Sequence, residues 1–336
     1  MIRRLAGLIA TVGLIGATAA FAEAARDPIP GLTVEPLTLP TKPGRQVKLG
    51  ALQYRGGVTI RSTADPTIFH GYSGLWVSPD GKTLAAVEQG KWITAALSYD
   101  QQGNLSGFAP QDGGPLLDEK GRPFTDKDDE DSEALDFDGR QFLVGFKAHE
   151  RVLAYDDFKA PARPIKLPDE ARDGIPRGGG FSSVVALKDG GMLFLPESTY
   201  EPRKRKRKKE LAAARPRGWL RTASGAEGPL WLRAAFPWMP VSLAQLPNGD
   251  LLVLELHQVP NVGVDQARLS RIAGTDVRIG NTLRAREIAM FGAPMPAWRL
   301  EGTSVRTGPK GEILLYMMSS TAPAQLYMFE LKHAGR

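Results

Sequence analysis

A short apolar run, a turn ending in glycine and a second, more uniformly apolar run recur along the chain. The copies are Leu75-Trp76-Val77 with Asp80-Gly81 and Leu84-Ala85-Ala86-Val87; Leu135-Asp136-Phe137 with Asp138-Gly139 and Phe142-Leu143-Val144; and Val184-Val185-Ala186-Leu187 with Asp189-Gly190 and Met192-Leu193-Phe194-Leu195. A fourth is Leu243-Ala244-Gln245-Leu246 with Asn248-Gly249 and Leu251-Leu252-Val253-Leu254, and a less regular fifth sets Lys310-Gly311 before Ile313-Leu314-Leu315-Tyr316. Asp-Gly and Asn-Gly between apolar runs mark hairpins, because both central residues of a type I′ turn require positive φ. The turn glycines follow one another at intervals of 51–62 residues, a period that suits a four-stranded unit. One such sheet cannot bury both faces alone, whereas sheets packed face to face in a ring can. Five copies and the strand-like Leu49–Ile60 region predict an all-β chain forming a single β-propeller of about six four-stranded blades. A β-sandwich is the alternative, but it requires no repeat of this length.

The rest of the chain adds an address and some loops. Residues 1–22 have the layout of a secretory signal peptide: a basic start with Arg3 and Arg4, an apolar centre from Leu5 to about Ile15, and a small-x-small exit at Ala20-Phe21-Ala22. Cleavage is expected after Ala22, with Ala24 as the alternative. An uncleaved anchor would need about 20 predominantly apolar residues, and Gly7, Thr11, Gly13, Gly16 and Thr18 interrupt this segment. The expected location is therefore periplasmic or secreted, and no later stretch reaches the length of a membrane span. Residues 23–45 are proline-rich and read as an extended lead-in, leaving 46–336 for the propeller. Residues 101–132 are polar and glycine-rich and read as loop, and 199–230 read as a basic surface insertion.

Composition narrows the chemistry. The 37 glycines and 26 prolines approach a fifth of the 336 residues, against about 12% in average proteins, which favours turns and short strands over helices. No cysteine is present, so disulfides and thiolate metal sites are excluded. The formal net charge is +6, and much of the local excess lies in the run Arg203 to Lys209. That run suits contact with an anionic surface or polyanion, although an exposed charged loop explains it as well. No nucleic-acid partner is expected for an exported chain. Ser73, in Gly71-Tyr72-Ser73-Gly74, does not form the Gly-x-Ser-x-Gly nucleophile elbow. No phosphate-binding loop ending in Lys-Ser or Lys-Thr occurs, and Gly178-Gly179-Gly180 reads as a tight lead into a strand.

Several stretches resemble, in order, the esterase-like phytase family. They are Gly71-Tyr72-Ser73-Gly74-Leu75, the segment Gly139 to Tyr155 containing His149 and Arg151, Leu246-Pro247-Asn248-Gly249-Asp250 with the strand that follows, and Leu300-Glu301-Gly302. The resemblance spans about residues 45–332. It implies a propeller whose acids gather at one channel mouth and act on ester or phosphoester bonds. A phosphoester is already anionic, so such acids would need a divalent cation to neutralise charge and acidify a water. Oxygen ligands favour calcium or magnesium, and no organic cofactor is expected. On this resemblance Glu133, Glu301 and Glu88 are the expected metal ligands. His149, Glu133 and Arg151 are the expected catalytic residues, with His149 shuttling a proton and Arg151 gripping the substrate. For His149 the competing reading is a structural histidine between strands. For the acidic run Asp126 to Glu133, a calcium loop competes with a solvated turn.

The departures from the family pattern matter as much. Lys147 replaces an acid, Ser182 a glutamate, Ser242 an aspartate and Leu256 an arginine. Trp298 and Arg299 replace an Asp-Asn pair, and Ser319-Ser320-Thr321-Ala322 replaces a Ser-Asp-Asp-Asn run. A hydroxyl cannot supply the anionic charge that metal binding needs. Two functions follow from this set. One is an exported metal-assisted ester or phosphoester hydrolase taking a small anionic or ester substrate. The other is a non-catalytic propeller binding a ligand, glycan or envelope component.

Overall fold

The computed structural model describes residues 31–39, 48–62, 71–176, 178–197, 199, 216–233, 238–259, 263–292 and 299–332. The expected signal peptide, most of the lead-in, the basic run 203–209 and Trp298 lie outside the described residues. No helix among the described residues is long and apolar enough to cross a membrane.

Among the described residues the strands form five blades, each built on four strands. The first is Gly74–Val77, Thr83–Glu88, Lys91–Tyr99 and Leu105–Pro115; the second is Ser132–Phe137, Phe142–Phe146, Arg151–Tyr155 and Arg163–Pro164. The third is Ser183–Ala186, Met192–Leu195, Arg217–Arg221 and Glu227–Leu232, extended by Thr282–Leu283; the fourth is Trp238–Gln245, Leu251–Val259, Gly263–Ile272 and Arg286–Phe291. The fifth joins Leu300–Thr307, Ile313–Ser319 and Ala324–Leu331 to Leu52–Ser62 from the other end of the chain, with Ala324 opposite Ile60 and Leu331 opposite Leu52. The first strands of successive blades neighbour one another around a ring, and the fifth returns to the first.

About six blades were expected, and the described residues form five. The strand-like Leu49–Ile60 region supplies the fourth strand of the last blade, along which Leu32–Pro36 also pairs, rather than a blade of its own. Two expected loops are partly sheet as well. Leu105–Pro115 lies within 101–132, Arg217–Arg221 lies within 199–230, and Glu227–Leu232 begins there. Their glycines and charges sit on outer strands, which need only one apolar face.

Burial accounts for the repeat. Five apolar clusters fill the five blade interfaces, and each second strand serves two of them alternately. In the first blade Leu84 and Ala86 pack toward the fifth blade while Ala85 and Val87 pack toward the second. In the fifth, Leu315 and Met317 face the fourth blade while Leu314, Tyr316 and Met318 face the first. A strand covered on both sides loses polar alternation, which is why these runs read as continuously apolar.

The hairpin turns differ in detail from the type I′ expectation. Gly81, Gly139, Gly190, Gly249 and Gly311 have positive φ, but Lys310 and the Asp or Asn before each of the other four do not. That acid or amide instead folds back on the turn: Asp80 Oδ1 accepts from Lys82 N at 2.9 Å, Asp138 Oδ1 from Gln141 N at 2.9 Å and Asp189 Oδ1 from Gly191 N at 2.9 Å. The dipeptide works through side-chain capping as well as backbone freedom.

Asp136 ties the second blade to the third, its Oδ2 accepting from Ala186 N at 2.9 Å. Burial pushes its carboxyl up to about 7, against the lowering effect of bonds from Phe137 N and Ala186 N. A carboxyl raised in the folded state binds its proton more tightly there than in the unfolded chain. Its contribution is therefore complete below the ordinary aspartate value and is lost as pH rises through about 7. Denaturant titrations should show unfolding free energy falling with rising pH across that window, and Asp136→Asn should shallow the fall. An unchanged pH profile would refute the assignment. Ile60→Ala, at the seam that closes the ring, should cost about 2–5 kcal/mol in the same measurement; a cost near zero would mean the seam is not part of the cooperative core.

Candidate functional site

Opposite the Asp-Gly turns, the starts of the first strands and the ends of the second strands converge on one mouth of the channel. This end gathers Ser73 and Glu88 from the first blade, Glu133 and Lys147 from the second, Ser182 and Glu197 from the third, Ser242 from the fourth, and Glu301, Thr303 and Ser319 from the fifth. Local backbone irregularity aims two of the acids. Pairing shifts register between Ser132 and Ala134 and again between Leu300 and Gly302, so Glu133 and Glu301 are the extra residues of β-bulges. A bulge re-aims the side chain it carries.

Two triads organise the charged side. In the first, Ser73 stands between two carboxyls: its amide donates to Glu88 Oε2 at 2.8 Å, its hydroxyl also bonds Glu88 Oε2, and the same hydroxyl lies 2.9 Å from Glu301 Oε2. One hydroxyl carries one proton and can donate to only one of the two acids. Its bond to the other needs a proton from that acid, so the triad holds a carboxyl proton. In the second triad, Lys147 Nζ lies 3.0 Å from Glu133 Oε1 and 2.9 Å from Glu197 Oε1. The Lys147 backbone is fixed on both sides. Its N–H donates to Asp131 O at 2.9 Å, and its carbonyl accepts from Gly180 N at 3.0 Å. A Cβ on Gly180 would fall 2.2 Å from the Lys147 carbonyl oxygen, which explains the glycine at this position.

The protonation pattern follows from this packing. Burial, reinforced by Glu301, raises Glu88 to about 7 although the Ser73 bonds oppose it. Burial also raises Glu133 to about 8; Lys147 pulls it down, while Glu301, Glu88 and Glu197 push it up. Burial alone would lower the Lys147 ammonium, but Glu197 and Glu133 outweigh it and hold the amine above its usual value. The other side of the mouth carries hydroxyls instead. Ser242 Oγ and Thr303 Oγ1 are 2.7 Å apart, and Ser182 Oγ lies 3.4 Å from the carbonyl oxygens of Leu195 and Pro240.

The expected metal ligands Glu88, Glu133 and Glu301 thus lie in one electrostatic group, but their oxygens are already engaged by Ser73 and Lys147. Among the described residues, no group of three or more His, Asp or Glu side chains is placed to hold a metal ion. As it stands, with an ammonium among the carboxylates, this donor set does not fit calcium or magnesium. The expected catalytic pair lies elsewhere. Arg151 bonds Asp129 Oδ1 at 2.7 Å and the Asp129 carbonyl, with its guanidinium over Phe124 and Phe146. His149, in a left-handed conformation at φ 61°, is more than half exposed, with Nε2 3.7 Å from Asp129 Oδ1. Both therefore turn toward the acidic segment, where Asp126 caps the turn Lys127–Glu130 through Asp128 N. The segment is a capped turn that anchors Arg151.

Sequence reading missed Glu197 and the roles of Lys147 and Ser73. Glu197 had a signal: it follows the second strand of its blade closely, as Lys147 does in the preceding blade. A cleft of about 790 Å³ lies at the opposite end, beside the Asp80-Gly81 and Lys310-Gly311 turns. In its lining Arg55 pairs with Glu330, and Arg306 Nε donates to the Tyr316 hydroxyl.

Comparison with solved structures gives neighbours of low similarity. The endo-arabinase from Bacteroides thetaiotaomicron aligns at TM-score 0.44 and 12% identity, covering 79% of this chain and 95% of that one. The exo-β-1,3-galactanase 1,3Gal43A from Clostridium thermocellum aligns at TM-score 0.44 and 12% identity, covering 91% of this chain and 64% of that one. The N-terminal domain of Nup159 aligns at TM-score 0.38 and 12% identity, covering 87% and 98%. Such likeness assigns no activity. No curated protein sequence matches. The model of the phytase-like family, described as esterase-like activity of phytase, matches residues 67–319. With the ordered motifs and the ring of blades carrying that match through most of its length, the chain belongs to the phytase-like family.

Proposed function

We propose that this chain is an exported hydrolase that cleaves an uncharged ester at the carboxyl-rich mouth of its propeller, with Glu88 as the proton-transferring group. The observation that carries this reading is the Glu88–Ser73–Glu301 triad, a carboxyl pair bridged by one hydroxyl, with Glu88 raised to about 7. A base of that strength is half ionised near neutral pH, where general acid–base catalysis is most effective. In its ionised form Glu88 takes a proton from the attacking water as the new C–O bond forms. The same proton then goes to the departing alkoxide as the ester C–O bond breaks. Ser73 and Glu301 orient Glu88, and Lys147 contributes positive charge near the developing oxyanion.

Charge argues against the phosphoester branch of the expectation. Glu88, Glu133, Glu197 and Glu301 surround a single ammonium, so acidic groups outnumber the cation and the mouth disfavours a phosphate dianion. It does not disfavour a neutral carboxylic ester or lactone. His149 and Arg151 take no part in this scheme, because both are turned to Asp129.

Purified mature protein should hydrolyse some members of a panel of neutral esters and lactones, with no turnover of phosphomonoesters and no loss in chelator. The rate should climb with pH through about 7 as Glu88 ionises. Glu88→Gln should lower kcat by about 10²–10⁴-fold with the thermal transition preserved. A panel that binds without turnover would favour the non-catalytic propeller. An active Glu88→Gln variant would remove Glu88 from the mechanism.

A further inference from the structure

The mouth contains an arrangement from which the hydrolytic reading uses only one positive charge. Lys147 Nζ is held between Glu133 and Glu197 at 3.0 and 2.9 Å, and Glu301 also acts on it electrostatically. Its side chain is only 18% exposed, and those of Glu133 and Glu197 are 13% and 18% exposed. The backbone bonds to Asp131 O and from Gly180 N fix where the lysine stem starts. The bulges at Glu133 and Glu301 turn carboxyls toward the same space from two blades. A ring of acids around a single seated ammonium is the environment of a cation site.

We infer that the Lys147 ammonium is the resident cation of this mouth and occupies the position that a divalent metal ion would otherwise take. The intact protein then has no use for calcium or magnesium there. Lys147 is covalently tethered, so its one positive charge stays among the acids whatever the ionic composition of the medium. Removing it leaves Glu133 and Glu197 facing each other, with Glu88 and Glu301 behind them. Buried carboxylates without a counter-ion are costly, and hard oxygen donors recruit calcium. This assignment holds whether or not the mouth hydrolyses anything, so it can fail or survive separately from the proposed activity.

The test is calcium titration by calorimetry on chelator-stripped protein, with thermal melts in calcium and in chelator. Wild type and Lys147→Arg should show no saturable binding and no calcium-dependent shift. Lys147→Ala should bind calcium with a dissociation constant on the order of 10⁻⁵–10⁻⁴ M and melt higher in calcium than in chelator. Adding Glu133→Gln to Lys147→Ala should abolish that binding. If Lys147→Ala is unfolded in chelator, calcium should refold it, and Lys147→Gln, closer in length, should behave likewise. Saturable calcium binding by wild type that Glu133→Gln removes would overturn the inference. So would folded lysine-less variants that ignore calcium, or variants that calcium fails to refold.

Discussion

Several carboxyl groups at the mouth lie largely out of water, and a single ammonium is placed to offset them. Desolvating one ionised carboxylate costs several kcal/mol after relaxation, and Glu88, Glu133, Glu197 and Glu301 share one small region. Two devices make the cluster tolerable. Lys147 places its one positive charge between Glu133 and Glu197, and a retained proton lets Glu88 and Glu301 share the Ser73 hydroxyl. The second device produces chemistry, because a carboxyl that holds its proton to near neutrality can exchange it during a reaction. Electrostatic tolerance and proposed activity therefore have the same origin.

The ring supplies the rigidity that this arrangement needs. Each of the five interfaces is filled by residues from two blades, and the fifth blade is completed by Leu52–Ser62. The mouth residues come from all five blades, so their mutual distances are set by that closure. Bulges at Glu133 and Glu301 then adjust aim locally without disturbing the interfaces beneath them. Asp136 shows the same economy at a blade junction, where one buried carboxyl accepts an amide from the next blade.

The repeat of apolar runs around Asp-Gly and Asn-Gly turns was enough to read a propeller, because double-sided burial leaves a direct trace in composition. It was not enough to count blades. Leu49–Ile60 has strand character, and nothing local reveals that its partner is Ala324–Leu331 at the far end of the chain. Outer strands such as Leu105–Pro115 hid for the opposite reason, since their exposed face admits glycine, proline and charge. At the mouth, the family resemblance singled out Glu88, Glu133 and Glu301, which the fold brings together. It also singled out His149 and Arg151, whose partner Asp129 lies in a segment that sequence reads only as acidic. Lys147 looked like a lost acid. Its role depends on Glu197, one blade away, and only the ring makes them neighbours.

The most direct measurement of the shared-charge account is a carbon-13 NMR pH titration of glutamate side-chain carboxyls in labelled protein, with Glu88 and Glu133 assigned by their Gln variants. The account expects Glu88 to titrate near 7 and Glu133 near 8. If every glutamate titrates in the ordinary range around 4.5, the mouth holds no carboxyl proton at neutral pH and the account fails.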